Sequence, residues 1–461
     1  MAYTKAMNQD FIERFRAAIR IKTDWPSKAE RGDAAAEAPL IRFQNFLAET
    51  YPAFHQAAER WVLSPYSLVY RWPGSAEGGR KAGAEDTRPV MLLGHYDVVP
   101  AETAKWSADP FGAELKDGYI YGRGAIDMKH MVISMMESAE NLCRQGFKPS
   151  RDIWVVLGGD EERAGPWGAK ETAKWFSERG TKFSFILDEG TPVAEDLIKG
   201  VDKPLALVGI EEKGYLSLDL TVEQKPGHAS QPPGEQAAAI LARALLRLSK
   251  RPFPWHLTPT VEAFFKQLSS HAPGITGFAM KHARILGPLF FKAAAVSPAT
   301  RAILHTTLAM TQLQGSAADN VMPSSVQAVI NLRLLPPWTV ETAIERVRAA
   351  AADDRVKVTV HGLATDPAKA SPDQAAQKSP GWKEIKTAVG KVFPNTPVLP
   401  FLMLATTDSR HYQEQSPDIY RFNPLLLKAE EISRIHGHDE RISVENLEQC
   451  LKFYTALMEQ L

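Results

Sequence analysis

Four apolar stretches of this chain run straight into acidic or imidazole side chains, and any fold must accommodate that repetition. The strongest case is Asp152-Ile153-Trp154-Val155-Val156-Leu157, followed by Gly158-Gly159-Asp160-Glu161-Glu162. Neighbouring carboxylates at the end of a buried strand repel one another and resist desolvation, so a positive partner is expected beside them. The same arrangement recurs in Val90 to Asp97, which carries His95 and Asp97, in Phe183 to Gly190, which carries Asp188 and Glu189, and in Val398 to Arg410.

Between these stretches lie helical patterns, over about 128–145, 168–179 and 381–392. Alternation of strand and helix predicts parallel pairing with right-handed crossovers. Function in such sheets gathers beyond the carboxyl ends of the strands. His95, Asp97, Glu161, Glu162 and Asp188 fall at that edge, as does Asp127, which follows the tight turn Gly122-Arg123-Gly124. Near residue 212 the pattern changes. Tyr215 to Val222 and Ser325 to Arg333 alternate with period two, as strands with one wet face should. Helices near 236–248 and 340–351 and a strand at 356–360 complete a small α+β unit. The reading is therefore a catalytic domain over 1–212 and 366–461, interrupted by a domain over 213–365. An apolar, helical insertion at about 251–314 reads as extra packing on the smaller domain, as a wall for an apolar substrate tail, or as a membrane-docking element.

Histidine and carboxylate without cysteine pairs form a hard-to-borderline ligand set that suits zinc, and also cobalt or manganese. Two ions sharing a bridging carboxylate would explain why so many acids tolerate one another. One carboxylate must stay off the metal to move the proton of an activated water. Glu161 and Glu162 diverge as neighbours, so one can ligate while the other acts as base. Asp97 is suited to holding the His95 ring through its second nitrogen. Near the C-terminus, His436 and His438 lie beside Asp439 and Glu440 on a loop.

Taken together, Gly94-His95-Tyr96-Asp97-Val98-Val99-Pro100, Gly122 to Lys129, Asp160-Glu161-Glu162, Leu187-Asp188-Glu189-Gly190, Gly227-His228-Ala229-Ser230 and His436-Gly437-His438-Asp439-Glu440 resemble the M20 metallopeptidase family. The chain is most similar to its carboxypeptidase S and N-acyl amino acid hydrolase branch. The resemblance implies an α/β catalytic domain with a mostly parallel central sheet and helices on both faces, plus an inserted ferredoxin-like lid. It implies two Zn2+ ions, one held by His95, Asp127 and Asp188 and the other by Asp127, Glu162 and His436, with Glu189 and His438 as alternative ligands. Glu161 would be the general base and His228 would stabilise the oxyanion. Asn320, Arg333 and Arg410 would contact substrate, the arginines suiting a free carboxylate. The implied reaction is hydrolysis of N-acyl amino acids or small peptides with a free C-terminal carboxylate. The rivals are a dipeptidase, a biosynthetic deacetylase or desuccinylase, and a relative that only binds. A homodimer through the lid is left open.

Composition narrows the partners. Lys plus Arg and Asp plus Glu number 54 each, so no global field draws the chain to nucleic acid. No run approaches the roughly 20 apolar residues of a membrane span. The N-terminus lacks an apolar signal core, and Cys143 and Cys450 read as buried thiols, so a cytoplasmic location is expected.

Overall fold

The computed structural model describes residues 2–461 except 26–29, 76–86, 197–200, 202, 251–252, 295–296, 317, 372–373 and 375. The chain divides into two units. The first comprises Met1–Ile210, Ala370–Pro400 and Thr407–Leu461; the second comprises Glu211–Lys369 and Phe401–Thr406. The expected limits of the inserted domain were 213 and 365.

In the first unit an eight-stranded sheet runs in the order Glu59–Ser64, Ser67–Trp72, Ile153–Gly158, Val90–His95, Ile186–Glu195, Ile419–Lys428, Leu205–Glu212, Val398–Met403. The four central strands, from Ile153–Gly158 to Ile419–Lys428, pair in parallel. Antiparallel pairs flank them. Strand alternation sends Leu92, Val155 and Leu157 to one face, where helices Lys129–Arg144 and Val444–Met458 cover them. Met91, Leu93, Trp154 and Val156 go to the other face, against Ala169, Ala173 and Phe176 of helix Ala169–Glu178. Burial on both faces is why the central strands read as continuous apolar runs. Among the described residues no helix is long and apolar enough to cross a membrane. Cys143 is half-buried and Cys450 buried, and burial raises both thiols to about 12.

The second unit is a four-stranded antiparallel sheet in the order Thr307–Gln314, Ser325–Leu334, Gly214–Glu223, Lys357–Thr365. Helices Ala237–Ser249 and Val340–Ala351 pack on it through Leu241, Ala244, Ala343 and Val347. The βαββαβ order with this strand sequence is the ferredoxin-like arrangement. The insertion is helical only to residue 304. Helices Pro259–Leu268, Gly274–Lys281, Ala283–Ala294 and Pro298–Leu304 are followed by the edge strand Thr307–Gln314. The expectation of a helical insertion as far as 314 is thus corrected: Thr306, Thr307 and Thr311 are β-branched, and the segment completes the ladder of Ser325–Leu334.

Candidate metal centre

His95 ends the strand Val90–His95 and is 1 % exposed. Its Nδ1 lies 3.0 Å from the main-chain oxygen of Asp97 and 3.4 Å from that residue's carboxylate. This fixes the ring so that Nε2 points outward, 3.1 Å from Asp127 Oδ1 and 3.4 Å from Glu189 Oε1. The other Asp127 oxygen, Oδ2, lies 3.0 Å from His436 Nε2, which is also 3.1 Å from Glu162 Oε2. Asp127 therefore belongs to two clusters at once, His95–Asp127–Glu189 and Asp127–Glu162–His436, with each oxygen committed to a different one.

The surrounding chain holds this arrangement from below. Asp97 is fully buried, and its two oxygens accept the N–H groups of Glu161 (3.2 Å) and Glu162 (3.1 Å). One aspartate thus orients the histidine and both glutamates. Asp127 follows a turn whose Ile126 and Asp127 N–H groups donate to Glu440 Oε1, at 2.8 and 3.3 Å. Glu440 is ion-paired with buried Arg123 at 2.7 Å, and Arg123 also donates to the main-chain oxygen of His436 at 3.3 Å. The turn bearing Asp127 and the loop bearing His436 are therefore tied to a single buried ion pair. His436 itself sits at φ 60°, in the left-handed region.

At the acid pair 188–189 the structure places the alternative, Glu189, beside His95. Strand Ile186–Glu195 does not end there. Asp188 pairs with Arg421 and Thr191 with Phe422, so Glu189 and Gly190 form a bulge. A bulge re-aims side chains, and here it sends Glu189 to His95. Asp188 is turned away: its oxygens accept the N–H groups of Glu189 (2.8 Å) and Ser409 (2.9 Å). A side chain at Gly190 would strike the Arg421 backbone at 2.3 Å, so the bulge requires glycine. His438 is exposed and joins neither cluster.

Burial and mutual repulsion perturb the acids and imidazoles of the cluster. His436 is raised to about 10 by its hydrogen bonds to Asp127 and Glu162. Burial works against charge on His95, yet the acids around it, Glu189 first, hold it well above the usual imidazole range. Burial, followed by repulsion from Asp127, pushes Glu189 up to about 8. Burial also drives Glu161 well above the carboxylate range. Asp127 is desolvated too, but hydrogen bonds from His436 and His95 outweigh that and hold it low. Two imidazoles with raised proton affinity thus lie against desolvated carboxylates. Glu162 Oε1 is buried with no hydrogen-bond partner among the described residues. An oxygen- and imidazole-rich set with an orphaned buried carboxylate oxygen fits divalent cations of the zinc type.

Arg410, on the short turn Asp408–Tyr412, is 8 % exposed, with Nε and Nη2 unpartnered among the described residues. In the second unit, Gly227–His228 pairs with Val321–Met322, and Ala229 N–H donates to Asn320 O at 3.0 Å. His228 and Asn320 are thus neighbours on an exposed two-stranded ribbon, with His228 Nδ1 2.8 Å from Ser230 Oγ. Arg333 lies over the Tyr215 ring at 4.7 Å, beside buried Lys213. The supporting roles of Glu440 and Arg123 were not anticipated, although both lie within the motifs already singled out.

Residues 91–460 match the family described as peptidase family M20/M25/M40. An N-fatty-acyl-amino acid synthase/hydrolase, PM20D1, of Xenopus tropicalis is 36% identical over 98% of this chain and 86% of its own length. A probable carboxypeptidase S-like 2 of Dictyostelium discoideum is 33% identical over 99% of this chain and 86% of its own. Human carnosine dipeptidase 1 superposes with a TM-score of 0.70 at 18% identity, covering 100% of this chain and 98% of that one. The M20 family metallo-carboxypeptidase Sso-CP2 of Sulfolobus solfataricus gives 0.69 at 15% identity, over 98% of each chain, which shows a common fold. With the match extending over most of its length, the chain belongs to peptidase family M20/M25/M40, whose members are zinc-dependent hydrolases.

Proposed function

We propose that the protein is a two-metal amide hydrolase acting on N-acyl amino acids or small peptides that carry a free C-terminal carboxylate. The observation that carries this reading is the division of Asp127 between two clusters, Oδ1 toward His95 and Oδ2 toward His436. His95, Asp127 and Glu189 would hold one ion, and Asp127, Glu162 and His436 the other. When bound, such a pair supplies Lewis acidity that acidifies water and polarises a carbonyl oxygen.

The rest is work for the chain's own residues. Glu161 is left outside both clusters. Burial raises its affinity for protons, as a general base requires, so it can take a proton from water and pass it to the departing amine. Asp97 fixes the backbone beneath it. Arg410, with unpartnered guanidinium nitrogens in a buried setting, suits a substrate carboxylate. His228 and Asn320, side by side on one two-stranded ribbon, are suited to a developing oxyanion, and Arg333 to a carboxylate. An acyl-amino acid substrate is favoured over a dipeptide because relatives that match almost the whole chain are named N-fatty-acyl-amino acid synthase/hydrolase.

The test is a zinc-loaded assay on long-chain acyl, acetyl and dipeptidyl amino acids. Cleavage of acylated amino acids is expected, and Glu161→Gln should abolish it with metal content unchanged. Selective cleavage of dipeptides would favour the dipeptidase reading. No cleavage of any amide would leave a binding relative.

A further inference from the structure

We propose that helices Gly274–Lys281 and Ala283–Ala294 of the second unit form a docking surface for anionic phospholipid membranes. The inference does not depend on the reaction assigned above. Between positions 275 and 289, Ile275 is 87% exposed, Phe278 60%, Ile285 82% and Leu289 68%. Isolated apolar side chains at a surface are ordinary, but four large ones within fifteen residues, with Ile285 and Leu289 on either side of a kink at Gly287, are not. The inward positions of these helices are already filled. Gly277 lies against the carbonyls of Ser269 and Ala272, Phe290 packs edge-on to Phe265 at 5.0 Å, and Phe291 stacks on Trp255 at 5.9 Å. The exposed set is thus left over once the packing of the unit is complete.

Charge selects the occupant. Residues 263–318 contain no Asp or Glu, although the chain as a whole carries 54 in 461, and they contain five Lys or Arg. Arg284 is engaged by Glu262, which leaves Lys281 and Lys292 exposed beside the apolar side chains. Apolar residues flanked by lysine match the acyl boundary and anionic headgroups of a bilayer. A second copy of this chain fits poorly, because a two-fold contact would bring the exposed Lys281 and Lys292 of one copy toward those of the other.

The experiment is co-sedimentation of the zinc-loaded 461-residue chain with phosphatidylcholine vesicles, with and without phosphatidylserine. The protein is expected to pellet with the phosphatidylserine vesicles and to stay largely in solution with phosphatidylcholine alone. Replacing the apolar set (Ile275→Asn, Phe278→Asn, Ile285→Asn, Leu289→Asn) should lower partitioning at least about tenfold. Lys281→Glu with Lys292→Glu should lower it at least about thirtyfold on the anionic vesicles. Since all six side chains are exposed, both variants should keep the circular dichroism and metal content of the unmutated protein. The proposal is overturned if the unmutated protein stays in solution with both vesicles, or if the four-asparagine variant pellets undiminished. A lipid-independent dimer abolished by the asparagines would overturn it in favour of self-association. Turnover is read separately, so vesicle binding without hydrolysis would defeat only the reaction assigned above, and hydrolysis without vesicle binding only this proposal.

Discussion

The Arg123–Glu440 ion pair offers a sharp test of how the metal centre is supported. Arg123 is 3 % exposed and Glu440 0 %, with 2.7 Å between them. Removing one member of such a pair leaves an uncompensated buried charge, which costs about 3–5 kcal/mol. Arg123→Met keeps most of the aliphatic volume, so the loss should fall in that range in urea melts of the chelated protein. Adding Glu440→Gln removes the stranded charge while keeping an oxygen for the Ile126 and Asp127 N–H groups. The double variant should recover about 1–3 kcal/mol of the loss. Zinc affinity should behave differently. Arg123 also holds the main-chain oxygen of His436, and no substitution at 440 restores that bond. Both variants should therefore bind zinc about 10–100-fold more weakly in competition with a chromophoric chelator, as expected when a partner that orients a ligand is removed. Recovery of stability without recovery of affinity is the signature of a pair that sets the spacing of two ligands. If the double variant binds zinc as tightly as the unmutated protein, the ion pair does not hold Asp127 and His436 in register. If Arg123→Met costs less than about 1 kcal/mol, the burial argument itself is wrong.

Glu189→Ala should lower bound zinc by one ion in metal analysis, whereas Asp188→Asn should keep metal content and lose about 1–3 kcal/mol of stability through its backbone acceptors; the opposite pattern would restore Asp188 as the ligand. Chelation should lower the melting temperature of the unmutated protein, because Asp127, Glu162 and Glu189 then lose their counter-charge, and calorimetry with and without zinc measures it. In the second unit, burial and then Arg333 depress the Lys213 ammonium to about 7, while its Nζ donates to the Ala302 and His305 carbonyls. A depressed folded value means stability that is present above the unfolded pKa of about 10.4 and lost as pH falls toward 7. The stability of the unmutated protein relative to Lys213→Met should therefore rise by about 1 kcal/mol per pH unit between pH 7 and 9 in urea melts; a flat difference would show Lys213 charged in the fold.

The sequence was most legible where side chains alone decide the outcome. Short continuous apolar runs alternating with helical patterns suit strands covered on both faces, and their terminal acids then share an edge, so His95, Asp127, Glu162 and His436 could be gathered from pattern and resemblance. It was least legible where the backbone decides. Strand Ile419–Lys428 is one of the four central strands and Leu205–Glu212 lies beside it, yet Asn423 and Pro424 interrupt the apolar pattern of the first. The edge strand Thr307–Gln314 was hidden in an apolar segment whose period is ambiguous over so short a length. At 188–189 nothing in the side chains separates two adjacent acids. The choice is made by a two-residue bulge that Gly190 alone permits, and sequence carries that only as a glycine.

Asp97 shows the same division from the other side. As a residue two positions from His95 it is expected to steady the ring, and its main-chain oxygen does so at 3.0 Å. Its carboxylate is then free to accept the N–H groups of Glu161 and Glu162. That places one buried charge under three functional side chains from two different strands. An N–H donor satisfied by a carboxylate fixes φ and ψ of its residue more firmly than a water contact would. The two glutamates, which as neighbours must diverge, therefore diverge from a fixed origin, with Glu162 toward His436 and Glu161 outside both clusters. The adjacency of two acids is costly in isolation. Here it becomes a means of separating a ligand from a base by a single residue, and the fully buried Asp97 is the feature that makes the separation reproducible.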